Sequence, residues 1–193
     1  MQNQIETTNV KLLPGDLAIW FFIFMELLAF GVFFLVYSYI RMENLEMFNH
    51  YQKTLNIWIG LLNTLLLITS SYFVVRSIKS IKQNDVNGCA NWLLLAISGG
   101  IGFVALKLFE YQDKIEQGIS LDTNTFYMFY LSLTFFHFLH VVLGLIILTA
   151  IVMWTWQGKY SAEDHVGIES GASYWHMVDL VWIILFPLVY VIR

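Results

Sequence analysis

Residues 171–193 read GASYWHMVDLVWIILFPLVYVIR, and the fold turns on how this stretch is read. Its apolar part, residues 173–192, has the roughly 20 residues that a helix needs to cross a bilayer core of about 30 Å. Two ionisable side chains, His176 and Asp179, interrupt it three positions apart, which puts them on one face, a single helical turn from each other. In hydrocarbon such groups are costly and need a partner, a water or a task. The stretch therefore reads as a transmembrane helix with an inward polar face, and it requires neighbours.

Those neighbours lie upstream. A polar connection over residues 157–171 is preceded by residues 126–156, an apolar and aromatic run around His137 and His140 that is long enough to tilt or to project beyond the bilayer. Residues 110–122 are acidic, and before them residues 91–109 carry Ser98, Gly99, Gly100 and Gly102, a close-packing face. Residues 57–75 mix Asn63, Thr64, Thr69, Ser70 and Ser71 into leucine and isoleucine, so this run also faces other helices. Residues 17–40 are broken only by Glu26, with Asp16 placed to cap the first turn. Residues 1–16 read as a short polar tail without the charged start and apolar core of a cleaved signal. Every apolar run is too long for a strand and lacks period-two alternation.

The expectation is an all-α membrane protein, a bundle of five transmembrane helices forming one domain over residues 17–193. Arg76, Lys79 and Lys82 cluster after the second run, whereas the loop after the third is acidic. The positive-inside rule then predicts a cytoplasmic N-terminus and a periplasmic C-terminus. Trp20, Trp58, Trp92, Trp154, Trp156 and Trp175 fall near predicted span ends, as an interfacial aromatic belt requires, and Trp182 lies deep.

Composition agrees: 58% of the 193 residues are hydrophobic and 12% charged, too apolar for a soluble surface. One cysteine, Cys89, excludes an internal disulfide and a cysteine-rich metal site. A net charge of −4 without a long basic run leaves no footprint for nucleic acid. The chain has no Walker loop, no nucleophile with a base at motif spacing and no haem-attaching CxxCH.

The residues with chemical potential are therefore few. Glu26 stands about ten residues into its span, roughly 15 Å deep at 1.5 Å per residue. It is either a proton-handling acid or a hydrogen-bond anchor in the bundle. His137 and His140 share a face and can bond across helices, move protons or, with His176, offer imidazoles to a metal. The absence of nearby carboxylate or thiolate ligands disfavours the metal. His176 and Asp179 can neutralise one another if the carboxylate accepts from the ring, as a proton shuttle or a staple. Lys107 and Glu110 read as an ion pair at a helix end, with the lysine stem snorkelling to the interface.

Several motifs resemble the subunit III family of the haem-copper oxidases, in its order. Residues 174–190, YWHMVDLVWIILFPLVY, resemble its closing helix with the pattern YWHFVD-VW. Trp20 with Met25-Glu26 and Phe33-Phe34, Asn63-Thr64 through Ser70-Ser71, Glu110-Tyr111, and Thr134, His137, His140, Val141 and Gly144 resemble its other helices. The likeness covers all five spans and is similar to the five-helix form, which lacks the first two helices of longer members. The chain departs where Lys107 replaces glutamine, Met25 replaces serine, and Phe135 and Phe138 replace glycines. The ending WHMVDLVWIILFPL looks most like the subgroup associated with nitric oxide reductases.

The resemblance implies a non-catalytic accessory subunit in a bacterial inner membrane, without metals of its own. It implies bound phospholipid and a catalytic partner subunit that carries the haem and metals. Its roles would be assembly, sustained turnover or proton supply. Glu26, His137, His140, His176 and Asp179 carry over as polar interior residues. The contrasting reading is an independent proton-coupled carrier that uses Glu26 and the intramembrane histidines, and a copper-handling protein is a further, weaker one.

Overall fold

A computed structural model describes residues 15–192. Its elements are α1 (Leu17–Glu43), α2 (Leu45–Gln52), α3 (Ile57–Lys82), α4 (Val86–Glu116), α5 (Thr125–Trp156) and α6 (Val166–Phe186), which continues as a π-helical turn, Pro187–Val191. The described residues contain no strand, and five of the helices are long and apolar enough to span a membrane. The all-α bundle of five spans is thus as the sequence predicts. Of the amino-terminal tail expected over residues 1–16, only Gly15 and Asp16 fall within the described residues.

Local chemistry sets the ends of the helices. Asp16, Asn56, Asp85 and Asn124 precede α1, α3, α4 and α5, and each side chain accepts a hydrogen bond from a first-turn amide that no helical carbonyl reaches. At the other end of α4, Gly118 turns left-handed at φ 73°. Its N–H donates to the Ile115 carbonyl and that of Ile119 to the Lys114 carbonyl, the paired bonds that close a helix with glycine.

Several spans exceed their predicted limits because the helices continue into the flanking polar residues. α3 extends through Arg76, Lys79 and Lys82, so these cations lie on a helix end and not in a loop. α4 runs about two turns beyond Phe109, and α6 begins at Val166 instead of 173. That earlier start has a consequence for Trp175: it is buried to 1% exposure inside the bundle and does not belong to an interfacial belt.

Small residues decide the packing. α3 and α4 form a close antiparallel pair in which Ser70 Oγ donates to the Ala96 carbonyl at 2.7 Å and Gly99 abuts Ser70. α6 packs on α1, α3 and α5. The indole of Trp175 fills a slot between Gly100 of α4 and Gly144 of α5, where a Cβ would come within 2.7 and 2.8 Å of the ring. α1 is peripheral: it buries only Ile23, Phe30, Tyr37 and Arg41, a narrow seam at nearly heptad spacing. Phe135, which replaces a family glycine, is exposed on α5 and touches the rings of Tyr111 and Phe138. Phe135 thus lines the outer surface beside Tyr111 and is not wedged between the helices.

Candidate functional site

Three polar clusters join the spans in pairs, each built on a different contact between helices. In the first, Glu26 of α1 meets His140 of α5, with Oε2 3.0 Å from Nε2. The other ring nitrogen, Nδ1, lies 2.8 Å from the Phe136 carbonyl. A carbonyl only accepts, so Nδ1 carries a proton. The Nε2 bond then contains one further proton, held either by the carboxyl or by the imidazole. Phe30 and Phe136 pack edge-on against His140 and leave the Glu26 side chain at 20% exposure. This bond secures the weakly held α1.

In the second, Lys107 Nζ donates to Glu110 Oε2 and to Tyr190 Oη, and Tyr190 Oη donates to Glu110 Oε1, all at 2.8 Å. The three bonds close a ring between α4 and the π turn. The ammonium also lies 5.1 to 5.5 Å from the ring centroids of Tyr111, Tyr130, Trp182 and Tyr190, within the range of cation–π attraction. Lys107 is 0% exposed. The sequence-based reading of a snorkelling pair at a helix end is therefore corrected: α4 continues to Glu116, and the pair is sealed in the bundle. Here the π turn has a function, because it sets Tyr190 facing the pair. Pro187 begins it, and its carbonyl accepts from Ile192 N–H at 2.9 Å, five residues on.

The third cluster joins α3 to α6. His176 Nδ1 bonds Ser71 Oγ at 2.5 Å, and Asp179 follows three residues on along α6. The expected His176-to-Asp179 bond is not made, because the ring takes the α3 hydroxyl in preference to its own helix. Asp179 Oδ1 is buried without a partner among the described residues. His137 likewise bonds nothing: both ring nitrogens are buried and unpartnered, with Phe103 and Trp182 packed against the ring. The interhelical bond read for both α5 histidines holds for His140 alone.

The candidates thus fall into separate clusters, and His137, His140 and His176 share no ligand position. No group of three histidine, cysteine or acidic side chains able to hold a metal occurs among the described residues. Ser71 is among the small polar residues expected to bond across helices and does so, whereas Tyr190 is a partner that the residue-by-residue reading did not single out. Pro187, three residues before it, was the signal for Tyr190.

Fold and clusters together define a multi-pass membrane protein in which the Glu26–His140, Lys107–Glu110–Tyr190 and Ser71–His176 bonds join helices. Residues 9–192 match the cytochrome c oxidase subunit III family, and the chain belongs to it. Cytochrome c oxidase subunit 3 of Thermostichus vulcanus is 32% identical over 175 residues, 89% of this chain and 84% of the relative. The protein of the same name from Synechocystis is 39% identical over 131 residues, 67% of this chain and 55% of its own length. A heme-copper oxidase subunit I+III from Aeropyrum pernix is 27% identical over 183 residues, which cover 91% of this chain and 22% of that protein.

Proposed function

We propose that this chain is a non-catalytic accessory subunit that packs beside the haem- and metal-bearing catalytic subunit of a respiratory complex. The observation that carries this reading is the use of the polar residues. Glu26, Lys107, Glu110 and His140 are each committed to a partner on another element, so they hold the bundle together and do not converge on a reacting centre. The Aeropyrum relative, whose name joins subunits I and III in one chain, supports a catalytic partner. In this reading the subunit sits in the bacterial inner membrane with phospholipid bound in a cleft between its helices. It supports assembly of the partner, sustained turnover and proton supply. Residues 175–188, WHMVDLVWIILFPL, support a place in the nitric oxide reductase-associated subgroup.

Deleting the gene while retaining the catalytic subunit tests the reading. Haem content per catalytic subunit should stay near that of the intact complex, while assembly yield or the duration of turnover falls. Loss of the haem spectrum from a catalytic subunit that is still present in normal amount would instead assign a cofactor-holding role to this chain.

A further inference from the structure

One member of the Lys107–Glu110–Tyr190 ring also borders open space. A cavity of about 250 Å³ lies at the end of the bundle that carries α2, with Thr54, Asn56 and Ile59 on one wall and Glu110, Asp113 and Lys114 on the other. Position along α4 gives it depth: Asp113, whose side chain is 63% exposed, stands about one turn outward of Glu110, which is 4% exposed. Lys107 and Tyr190 do not line it. Glu110 is therefore the part of the buried ring that the cavity reaches.

The bonds around the cavity decide which charge is free to act in it. Lys114 is also nearly buried, and its ammonium donates to the Thr54 carbonyl at 3.2 Å and to Gln117 Oε1 at 3.4 Å, with Asp113 Oδ2 3.7 Å away. Asp113 accepts from Gln117 Nε2–H at 2.8 Å, and Asn56 Oδ1 caps the first turn of α3. Glu110 has capacity left. An ionised carboxylate offers about four lone-pair positions, and the ring takes one on each oxygen, Oε2 for Lys107 and Oε1 for Tyr190. Inward of Glu110 the route closes, because the rings of Tyr130, Trp182 and Tyr190 stand 5.1 to 5.4 Å from the Lys107 ammonium.

We infer that this cavity is an aqueous port. It admits water and small hydrophilic solutes from the α2 end alone, stops at the Glu110 carboxylate and lets the ring exchange protons with that one side of the membrane. The exchange is a proton transfer between water and a Glu110 oxygen, with no electron moved. A carboxylate at the foot of a hydrated cavity escapes the full desolvation that one facing lipid would suffer. Glu110 stands between Lys107 and the cavity, so the ammonium itself stays out of water. The port goes beyond the proposed accessory role and rests on the cavity, so either can fail without the other.

Cysteine reporters in a Cys89→Ala chain test the port, in sealed lipid vesicles that hold the protein in a single orientation and are treated from outside with a membrane-impermeant thiosulfonate. Lys107→Gln with Glu110→Cys places a thiol at the foot of the cavity without leaving a buried ammonium. Asp113→Cys marks the α2 end, and Lys79→Cys, exposed near the end of α3, marks the opposite one. The foot thiol should be labelled whenever Asp113→Cys is. Adding Ile59→Trp, which fills the cavity, should abolish labelling of the foot thiol but not of Asp113→Cys. Leu108→Cys, on the exposed outer surface of α4, should stay unlabelled because lipid covers it. If the Glu110 variant does not fold, Ile59→Cys leaves the ring intact and replaces it as reporter, with labelling again expected to follow Asp113→Cys. A reporter that is silent while Asp113→Cys reacts, or that follows Lys79→Cys, would overturn the port. So would labelling of the foot thiol that Ile59→Trp leaves unchanged, or equal labelling of Leu108→Cys.

Discussion

Removing the Glu110 carboxylate gives the sharpest energetic prediction. In the native bundle Lys107 Nζ donates to Glu110 Oε2 and Tyr190 Oη, both at 2.8 Å, and no part of the lysine is exposed. Glu110→Ala leaves a buried ammonium with one hydroxyl and four ring faces, and withdraws the acceptor of the Tyr190 hydroxyl. Breaking a sealed pair from one side costs about 3–5 kcal/mol, because the remaining charge stays desolvated. Replacing both members by apolar residues of similar volume, Lys107→Met with Glu110→Leu, removes the uncompensated charge and should recover most of that loss. Tyr190→Phe retains the ion pair but removes two bonds, so an intermediate cost of about 1–3 kcal/mol is expected. Reversible unfolding in mixed micelles of a mild and a denaturing detergent, followed by helical circular dichroism, ranks the variants. The expected order of stability places the double variant above Glu110→Ala, with Tyr190→Phe between native and Glu110→Ala. If Glu110→Ala costs less than about 1 kcal/mol, the range of exposed pairs, the pair is not sealed and the reasoning fails.

Other perturbations test other links. Gly144→Ala places a methyl within 2.8–2.9 Å of the Trp175 ring and should cost about 1–3 kcal/mol by overpacking; the smaller ring of Trp175→Phe, added to it, should return part of the loss of melting temperature. Glu26→Leu removes the bond that ties α1 to α5, so hydrogen exchange should rise in residues 17–43 well before it rises in α4 or α5. Ser71→Ala should cost about 1 kcal/mol by leaving His176 unbonded. Lys82→Ala breaks a pair with Glu169 in which the lysine is 51% exposed, and a loss below about 1 kcal/mol is expected.

The number of membrane-length helices is the part of the fold most legible in the sequence, since length and apolarity are local properties. Residues 17–40 and 126–156 were recognisable from their own composition, and Asp16 and Asn124 cap them as side-chain chemistry requires. Partners were less legible. The spacing of Lys107 and Glu110 foretold their bond but not their burial, because hydrophobicity alone does not reveal that α4 continues for two turns past the bilayer-length run. His137 and His140 look equivalent on one helix face. Only the arrangement of α1 distinguishes them, since Glu26 reaches one ring while aromatic side chains enclose the other. The His176–Asp179 spacing suggested a pair within α6, whereas Ser71, more than a hundred residues away, is the partner the ring takes. The short α2 lay hidden in a polar connection because its eight residues, with Phe48 the only fully buried apolar one, are too few and too polar to read as a span.

The proposed function makes this chain an accessory subunit beside a haem-bearing one. The most direct test is the reduced-minus-oxidised optical spectrum of material isolated through a tag on this chain, from native membranes and, in parallel, from cells that express the chain alone. Haem bands are expected from the native preparation, together with a second membrane subunit, and none from the chain alone. Absence of haem from the native preparation would contradict it, the more so if the isolated chain in vesicles carried a pH-driven flux that Glu26→Gln abolishes.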